Sequence, residues 1–243
     1  LEMRKVQIYI NPNHSRIECE CEERKRNMSF HCIFMKEDIA YLGADSRKNF
    51  TDGSYSDNHQ KIFINRNLKM VWTMTGITEY RNINYFYIVN MILNNPKASM
   101  LKKVYTIQDL MNPITEKMHQ ETQEDSYFDL FITTVENGEL VTYTIESKNG
   151  QADEKTNRRH WGNYLEASGV HTDMRYRVNE SDLIELSEID MTQKVNNLIS
   201  DVIEANKKCK SNTVGGDIYV ATIDNKGNIF TYVNGRNSDF RIM

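Results

Sequence analysis

A hydroxyl and a carboxylate are the first pair in this chain that could do chemistry. Ser29 opens the run 29–35 (SFHCIFM) and Asp45 closes the run 39–45 (IAYLGAD), with polar Lys36-Glu37-Asp38 between them. Two such runs predict a hairpin with a three-residue loop. Pairing Met35 with Ile39 makes the partner numbers sum to 74, so Ser29 is expected opposite Asp45. Directly opposed residues share a face and hold their Cβ atoms about 5 Å apart, and a slip of one residue breaks the arrangement. With Ser29 as the first residue of the chain, its α-amine, with a pKa of about 8, is partly neutral at pH 7. A neutral amine beside a hydroxyl can take the proton as the oxygen attacks a carbonyl, and no histidine is needed. A lysine ammonium close by would favour deprotonated neighbours and steady the developing charge.

The elements that must position this pair come in blocks. Residues 61–64 and 70–74 read as a second hairpin, turned by Asn65-Arg66-Asn67. A helix is expected from a Thr78 cap to Leu93, with Ile83, Phe86, Tyr87 and residues 89–92 as its apolar face and Asn94-Asn95-Pro96 as its stop. A second helix is expected near residues 106–123, with Pro113 disturbing its middle. Strands return at 127–134 and 140–147 around the turn Glu136-Asn137-Gly138. Residues 148–164 read as loop. Asp190 is expected to cap a long helix whose Met191, Val195, Leu198, Ile199, Val202 and Ile203 form a core-facing stripe. Residues 217–223 and 228–233 then pair around Asp224-Asn225-Lys226-Gly227. Blocks of strands and blocks of helices predict an α+β fold rather than alternating βαβ units.

One domain is expected over residues 28–243, because no Gly/Ser linker divides the chain. Residues 1–27 are set apart as an N-terminal extension, with a strand at 4–11 and a polar stretch ending Glu22-Glu23-Arg24-Lys25-Arg26-Asn27. It reads as a propeptide, or as a translated leader whose purine-rich codons precede a true start at Met28.

Ala44-Asp45-Ser46-Arg47, Gln60-Lys61-Ile62-Phe63 and Thr75-Gly76, in that order, resemble the proteasome β subunits and the bacterial proteasome-like peptidases that work with ATP-driven unfoldases. In that family a nucleophile begins the first strand, with an Asp 16 positions later and a Lys 32 positions later; from Ser29 these intervals land on Asp45 and Lys61. The family's Arg two residues after the Asp falls on Arg47, and its oxyanion-hole glycine falls on Gly76, within one residue of the expected spacing. Val214-Gly215-Gly216-Asp217-Ile218 resembles the family's Gly-Gly turn, and the likeness runs over about residues 28–235.

The resemblance implies a four-layer αββα sandwich of the N-terminal-nucleophile (Ntn) hydrolase type. It implies a threonine-type peptidase chemistry, with Ser29 Oγ as nucleophile and its α-amine as base. Lys61 would tune the site, Asp45 would hold Lys61, and the Gly76 N–H would stabilise the oxyanion. Arg47 and Ser168 would support them. It implies a homo-oligomeric ring, a peptide or protein substrate, an ATP-dependent unfoldase as partner, and neither cofactor nor metal.

The chain also departs from the family. Ser stands where Thr is usual, and loss of the methyl that fixes the rotamer predicts slower turnover. Met28 rather than Gly precedes the nucleophile. The family's orienting Asp falls near Ser211-Asn212, where no carboxylate stands. A noncatalytic subunit with Ser29 blocked, and an amidohydrolase acting on small molecules, are the alternatives.

Composition narrows the classes. Net charge is -4 with no basic block, so nucleic acid is not an expected partner. Apolar runs fall short of a membrane span and the start of the chain has no signal core, so a cytoplasmic protein is expected. Four cysteines are too few for a disulfide scaffold of this size and read as thiols. A metal site at Cys19-x-Cys21 with His31 or Cys32 is disfavoured, because His31 and Cys32 point to opposite faces of a strand and the spacing does not suit zinc. Arg158-Arg159-His160-Trp161 reads as an exposed loop rather than an anion patch. No phosphate-binding or dinucleotide glycine pattern occurs.

Overall fold

The computed structural model describes residues 29–50, 53–152, 159–209 and 211–240. The expected extension at 1–27, with its strand at 4–11 and its Cys19-x-Cys21 pair, lies outside the described residues, as does Met28. The chain begins with β1 (Phe30–Met35), β2 (Ile39–Asp45), β3 (Lys48–Asn49), β4 (Tyr55–Ser56), β5 (Ile62–Asn65), β6 (Met70–Gly76), β7 (Glu79–Tyr80) and β8 (Ile83–Asn84). Helices α1 (Tyr85–Leu93) and α2 (Met100–Thr122) lead to β9 (Tyr127–Glu136), β10 (Glu139–Lys148), β11 (Gln151–Ala152), β12 (Arg159–His160) and β13 (Tyr164–Gly169). A 3-10 turn at Thr172–Arg177 precedes α3 (Glu180–Glu185) and α4 (Glu188–Lys208), and β14 (Ile218–Asp224), β15 (Ile229–Val233) and β16 (Arg236–Asn237) follow.

These elements make a mixed α+β fold with two large antiparallel sheets. One runs β13-β1-β2-β14-β15-β16, the other β11-β10-β9-β6-β5 with β12 also beside β10. The alternation of β1 explains how they stack. Phe30, Cys32 and Phe34 face α4, where they meet Met191, Val195, Leu198, Ile199 and Val202. Ile33 and Met35 face the second sheet, packing with Leu42, Ile62, Val71, Phe131 and Leu140. The far face of the second sheet presents Trp72, Met74, Leu130 and Ile132 to Phe86, Val89 and Leu93 of α1 and Val104, Ile107 and Met111 of α2. A strand buried on both faces needs apolar side chains at odd and even positions alike, which is why FHCIFM lacks a polar alternation. Each fully buried large side chain contributes about 1.5–3 kcal/mol. At Gly43 a Cβ would stand 2.7 Å from Ile199 Cδ1 and 2.8 Å from Val195 Cγ1, so glycine there lets α4 lie close on β2.

Several expectations are corrected. The first hairpin pairs Met35 with Ala40, so partner numbers sum to 75, not 74. Lys36 N–H donates to Ile39 O at 3.0 Å, which closes a two-residue loop at Glu37-Asp38 in place of three. Residues 79–84 are not the start of a helix. Arg81 and Asn82, with φ of 51° and 63°, turn a small hairpin, and Asn84 rather than Thr78 caps α1 by accepting from Tyr87 N–H. The next helix begins earlier, at Met100 on a Ser99 cap, and runs unbroken through Pro113. The carbonyl that the proline strands belongs to Asp109, an exposed residue on the solvent side of the helix. Residues 148–164 are not plain loop: they contain β11 and β12, and β13 opens at Tyr164 as the edge strand beside β1. Ser187 caps α4, with Asp190 one turn on as the residue whose N–H it accepts.

Of the two described cysteines, Cys32 is a free buried thiol as expected, whereas Cys209 is disulfide-bonded rather than a thiol. No described helix is long and apolar enough to cross a membrane.

Candidate active site

Asp45 ends β2 in the middle of its sheet and is fully buried. A bare carboxylate there would cost several kcal/mol, and four donors offset that cost. Oδ1 accepts from Phe30 N–H at 3.0 Å and from Lys61 Nζ at 2.7 Å. Oδ2 accepts from Arg47 N–H at 3.0 Å and from Gly215 N–H at 3.1 Å. The Gly215-Gly216 turn into β14 thus reaches the site through a backbone amide.

Lys61 precedes β5 on the opposite sheet and is only 5% exposed. Its Nζ also donates to Ser29 Oγ at 2.8 Å. Burial pulls the Lys61 pKa down, and the Asp45 charge opposes that shift. The corrected register means that Ser29 does not sit opposite Asp45; it sits one position before β1, with Asp45 binding the N–H of the next residue. Lys61 therefore joins the two, reaching from one sheet to the edge of the other.

Gly76 ends β6 with φ of 84°. A Cβ at that position would stand 2.2 Å from Tyr127 O, so only glycine fits. Ile77 N–H is taken by Tyr127 O at 3.0 Å. Antiparallel strands alternate the side to which successive N–H groups point, so Gly76 N–H is directed away from β9. On that side the pairing with β5 ends at Ile62 and Thr73.

Arg47 does not touch Ser29. Its Nε and Nη2 grip Asp57 at 2.6 and 2.8 Å, and Nη1 donates to Asn212 O at 3.2 Å. It lies over the Tyr55 ring at 3.8 Å. The hydrogen bonds and charge of this pair raise the Arg47 pKa and hold Asp57 below its ordinary value. Arg47 thus pins the β3–β4 segment and the turn before β14 around Asp45. Ser168 does not touch the Ser29 hydroxyl either; its Oγ donates to Asp129 Oδ2 on β9. Two residues on, Val170 N–H donates to Ser29 O at 3.1 Å.

Ser29, Lys61 and Gly76 line one cavity of about 330 Å³, whose apolar wall includes Phe63, Met74 and Phe86. His59 is part of the wall too. Burial, then the charges of Lys48 and Lys61, push its pKa down to about 4, so the ring is neutral at pH 7. The site thus offers a hydroxyl, a buried cation held by a buried carboxylate, and a glycine N–H around a space fit for a side chain.

Sequence reading missed Asp57, His59, Asp129 and the role of His31. Asp129 had a signal, a lone carboxylate inside the apolar run of β9 (YFDLFITTVE). Asp57 and His59 sit in a polar stretch that carries none. His31 and Cys32 do point to opposite faces: His31 lies between the sheets, and Cys32 Sγ contacts Gly43 O at 3.7 Å on the α4 side. Among the described residues no group of His, Cys, Asp or Glu could hold a metal ion. Arg159 and His160 are not a free anion patch: Arg159 Nη2 bonds Glu136 at 2.9 Å and His160 stacks on Tyr164 at 3.7 Å, while Arg158 lies outside the described residues.

No protein-family model matches this chain, and a search of curated proteins returns no match.

Proposed function

We propose that this chain is a proteasome-type Ntn peptidase, built on a four-layer αββα sandwich and working through Ser29 as an N-terminal nucleophile. The observation that carries the reading is Lys61 Nζ, 2.8 Å from Ser29 Oγ and 2.7 Å from Asp45 Oδ1, in a cavity that Gly76 also lines. The stacking of helices, two sheets and a helix, and the Gly215 amide on Asp45, are in keeping with it.

In this reading the bond before Ser29 is cut first, which frees its α-amine. Ser29 Oγ attacks the carbonyl carbon of a peptide and its proton passes to the amine. The Gly76 N–H donates to the resulting oxyanion. The tetrahedral species collapses, the peptide nitrogen leaves with the proton from the ammonium, and an ester on Ser29 remains. Water, deprotonated by the same amine, hydrolyses that ester. Asp45 favours the charged form of Lys61 against the effect of burial, and the field of that charge lowers the cost of ionising the hydroxyl. The subunits would assemble into a ring that encloses the cavities and receives chains from an unfoldase.

The test is a chain beginning at Ser29, assayed on fluorogenic peptides and with an acylating β-lactone, beside Ser29→Ala. Peptide cleavage and a mass adduct on Ser29, both lost in Ser29→Ala, are expected. Equal cleavage by Ser29→Ala would refute the reading. Cleavage of small amides but not peptides would move it to an amidohydrolase. A natural chain that keeps Met28 attached, measured by intact mass, would remove the base and favour a noncatalytic subunit.

A further inference from the structure

At the end nearest Ser29 the core between the sheets holds a cluster of buried polar side chains, among them His31, Thr75, Asp129 and Ser168. His31 and Ser168 are cross-strand partners in the first sheet, Thr75 and Asp129 in the second. The two pairs face each other across the gap. His31 Nε2 lies 3.3 Å from Thr75 Oγ1, and Ser168 Oγ donates to Asp129 Oδ2. The other His31 nitrogen lies 3.4 Å from Thr73 Oγ1, and the ring stacks on Phe131 at 4.2 Å. Farther from Ser29 this core is mostly apolar, with Ile33, Met35, Leu42 and Val71, and its buried Thr133 and Thr142 pair with each other at 2.9 Å. Buried polar groups cost free energy unless paired, and a fully paired set fixes geometry more tightly than apolar packing does.

Three corners of the square adjoin the site along the chain, and Asp129 ties to it through Ser168. Thr75 precedes Gly76, and His31, on β1, follows Ser29 by two positions. Ser168 precedes Val170 by two, and Val170 holds the Ser29 carbonyl. The carboxyl on Ser168 comes from Asp129 on β9.

We propose that His31, Thr75, Asp129 and Ser168 form a clamp between the sheets that sets the distance from the Ser29 hydroxyl to the Gly76 N–H, with His31 and Asp129 as positioning residues. The proposal rests on the reading of Ser29 as nucleophile. A clamp of this kind touches no substrate, so it acts on kcat and leaves KM alone. Its effect depends on a hydrogen bond across the gap rather than on charge, so a neutral amide can replace the carboxyl.

The experiment compares three forms of the chain beginning at Ser29: wild type, Asp129→Asn and Asp129→Leu. Asparagine keeps a partner for Ser168; leucine fills similar space without one. Peptide kinetics are expected to show Asp129→Leu about 100-fold down in kcat with KM unchanged, the effect of a displacement of about 1 Å at the reacting atoms. Asp129→Asn is expected within about threefold of wild type, since one hydrogen bond replaces another. Ser168→Ala carries the same expectation as Asp129→Leu should the latter not fold.

In parallel, amide exchange is followed at Val170 and at Asn225, whose N–H is bound to Asp38 O in a distant turn. Loss of the clamp is expected to speed Val170 about tenfold and leave Asn225 alone, a local rather than global opening. Unchanged kcat in Asp129→Leu, a rise in KM alone, or equal acceleration at both amides overturns the clamp. If wild type neither cleaves peptides nor takes up the lactone, the nucleophile reading falls, and the exchange result alone decides the clamp.

Discussion

Asp129 makes the stability of this fold depend on pH in a direction opposite to most carboxylates. It is buried between the sheets, and burial, with the nearby charges of Glu146 on β10 and Glu166 on β13, pushes its pKa up from 3.8 to about 7 despite the Ser168 hydrogen bond. Between those two values the folded chain holds a proton that the unfolded chain releases. Stability then falls as pH rises through the window, is unaffected by this group below 3.8, and has lost the whole contribution above 7. From pH 5 to pH 8 about two units of the shift are traversed, which at 1.36 kcal/mol per unit is about 3 kcal/mol. Asp129→Asn removes the titration and keeps the shape. Urea unfolding, followed by the fluorescence of buried Trp72, measures both chains at pH 5 and pH 8. The difference between variant and wild type is expected to grow by about 3 kcal/mol in favour of the variant at the higher pH. Every other group titrates in both chains and cancels. A constant difference across the range would refute the argument and place an ionised, well-solvated carboxylate at position 129.

Other changes test the site and its frame. Lys61→Met keeps the volume but strips Asp45 of its only side-chain donor among the described residues; it is expected to destabilise by about 3–5 kcal/mol, read by urea unfolding, because a buried carboxylate is left without its cation. Gly76→Ala forces a side chain into a left-handed backbone against Tyr127 O; a cost of at least about 1–2 kcal/mol is expected by thermal unfolding, with peptide cleavage lost as the N–H turns away. Gly43→Ala pushes against Ile199 and Val195 and is expected to cost about 1–3 kcal/mol by the same measurement, with the site's chemistry retained. Arg47→Lys cannot keep the two-point grip on Asp57 or the lie over Tyr55, so proteolysis between β3 and β5 is expected to quicken while the unfolding midpoint moves little.

What was legible in the sequence follows from how each element is held. The stripe on α4, from Met191 to Ile203, and the apolar runs of β1, β2, β9 and β10 are set by burial, so composition and period reveal them. Strand β13 (YLEASG) carries two small residues, a glutamate and a glycine, and is a strand because β1 offers it an edge; nothing local announces that. The hairpin 79–84 hides inside an apolar helical pattern, since Tyr80 and Ile83 fit either element, and the turn at Arg81-Asn82 decides between them. Pro113 misled for the opposite reason: a proline in the middle of a long helix costs a backbone bond, which packing by Val104, Ile107, Met111 and Ile114 offsets.

The one-residue error in the first hairpin shows which link of the site is robust. A slip of one moves every side chain of a strand to the other face, and by that rule Ser29 and Asp45 should have parted. They remain joined because their meeting does not depend on the hairpin alone. Asp45 sits at the end of β2, where the sheet stops and its carboxylate can turn to the Phe30, Arg47 and Gly215 amides. Ser29 sits just before β1, at the same end. The long side chain of Lys61 then spans from the other sheet to both, and a four-carbon stem tolerates an offset that two short side chains facing each other do not. The spacing of 16 and 32 positions therefore survives a wrong register, because it encodes a corner where two sheets meet rather than a pair of rungs on one ladder.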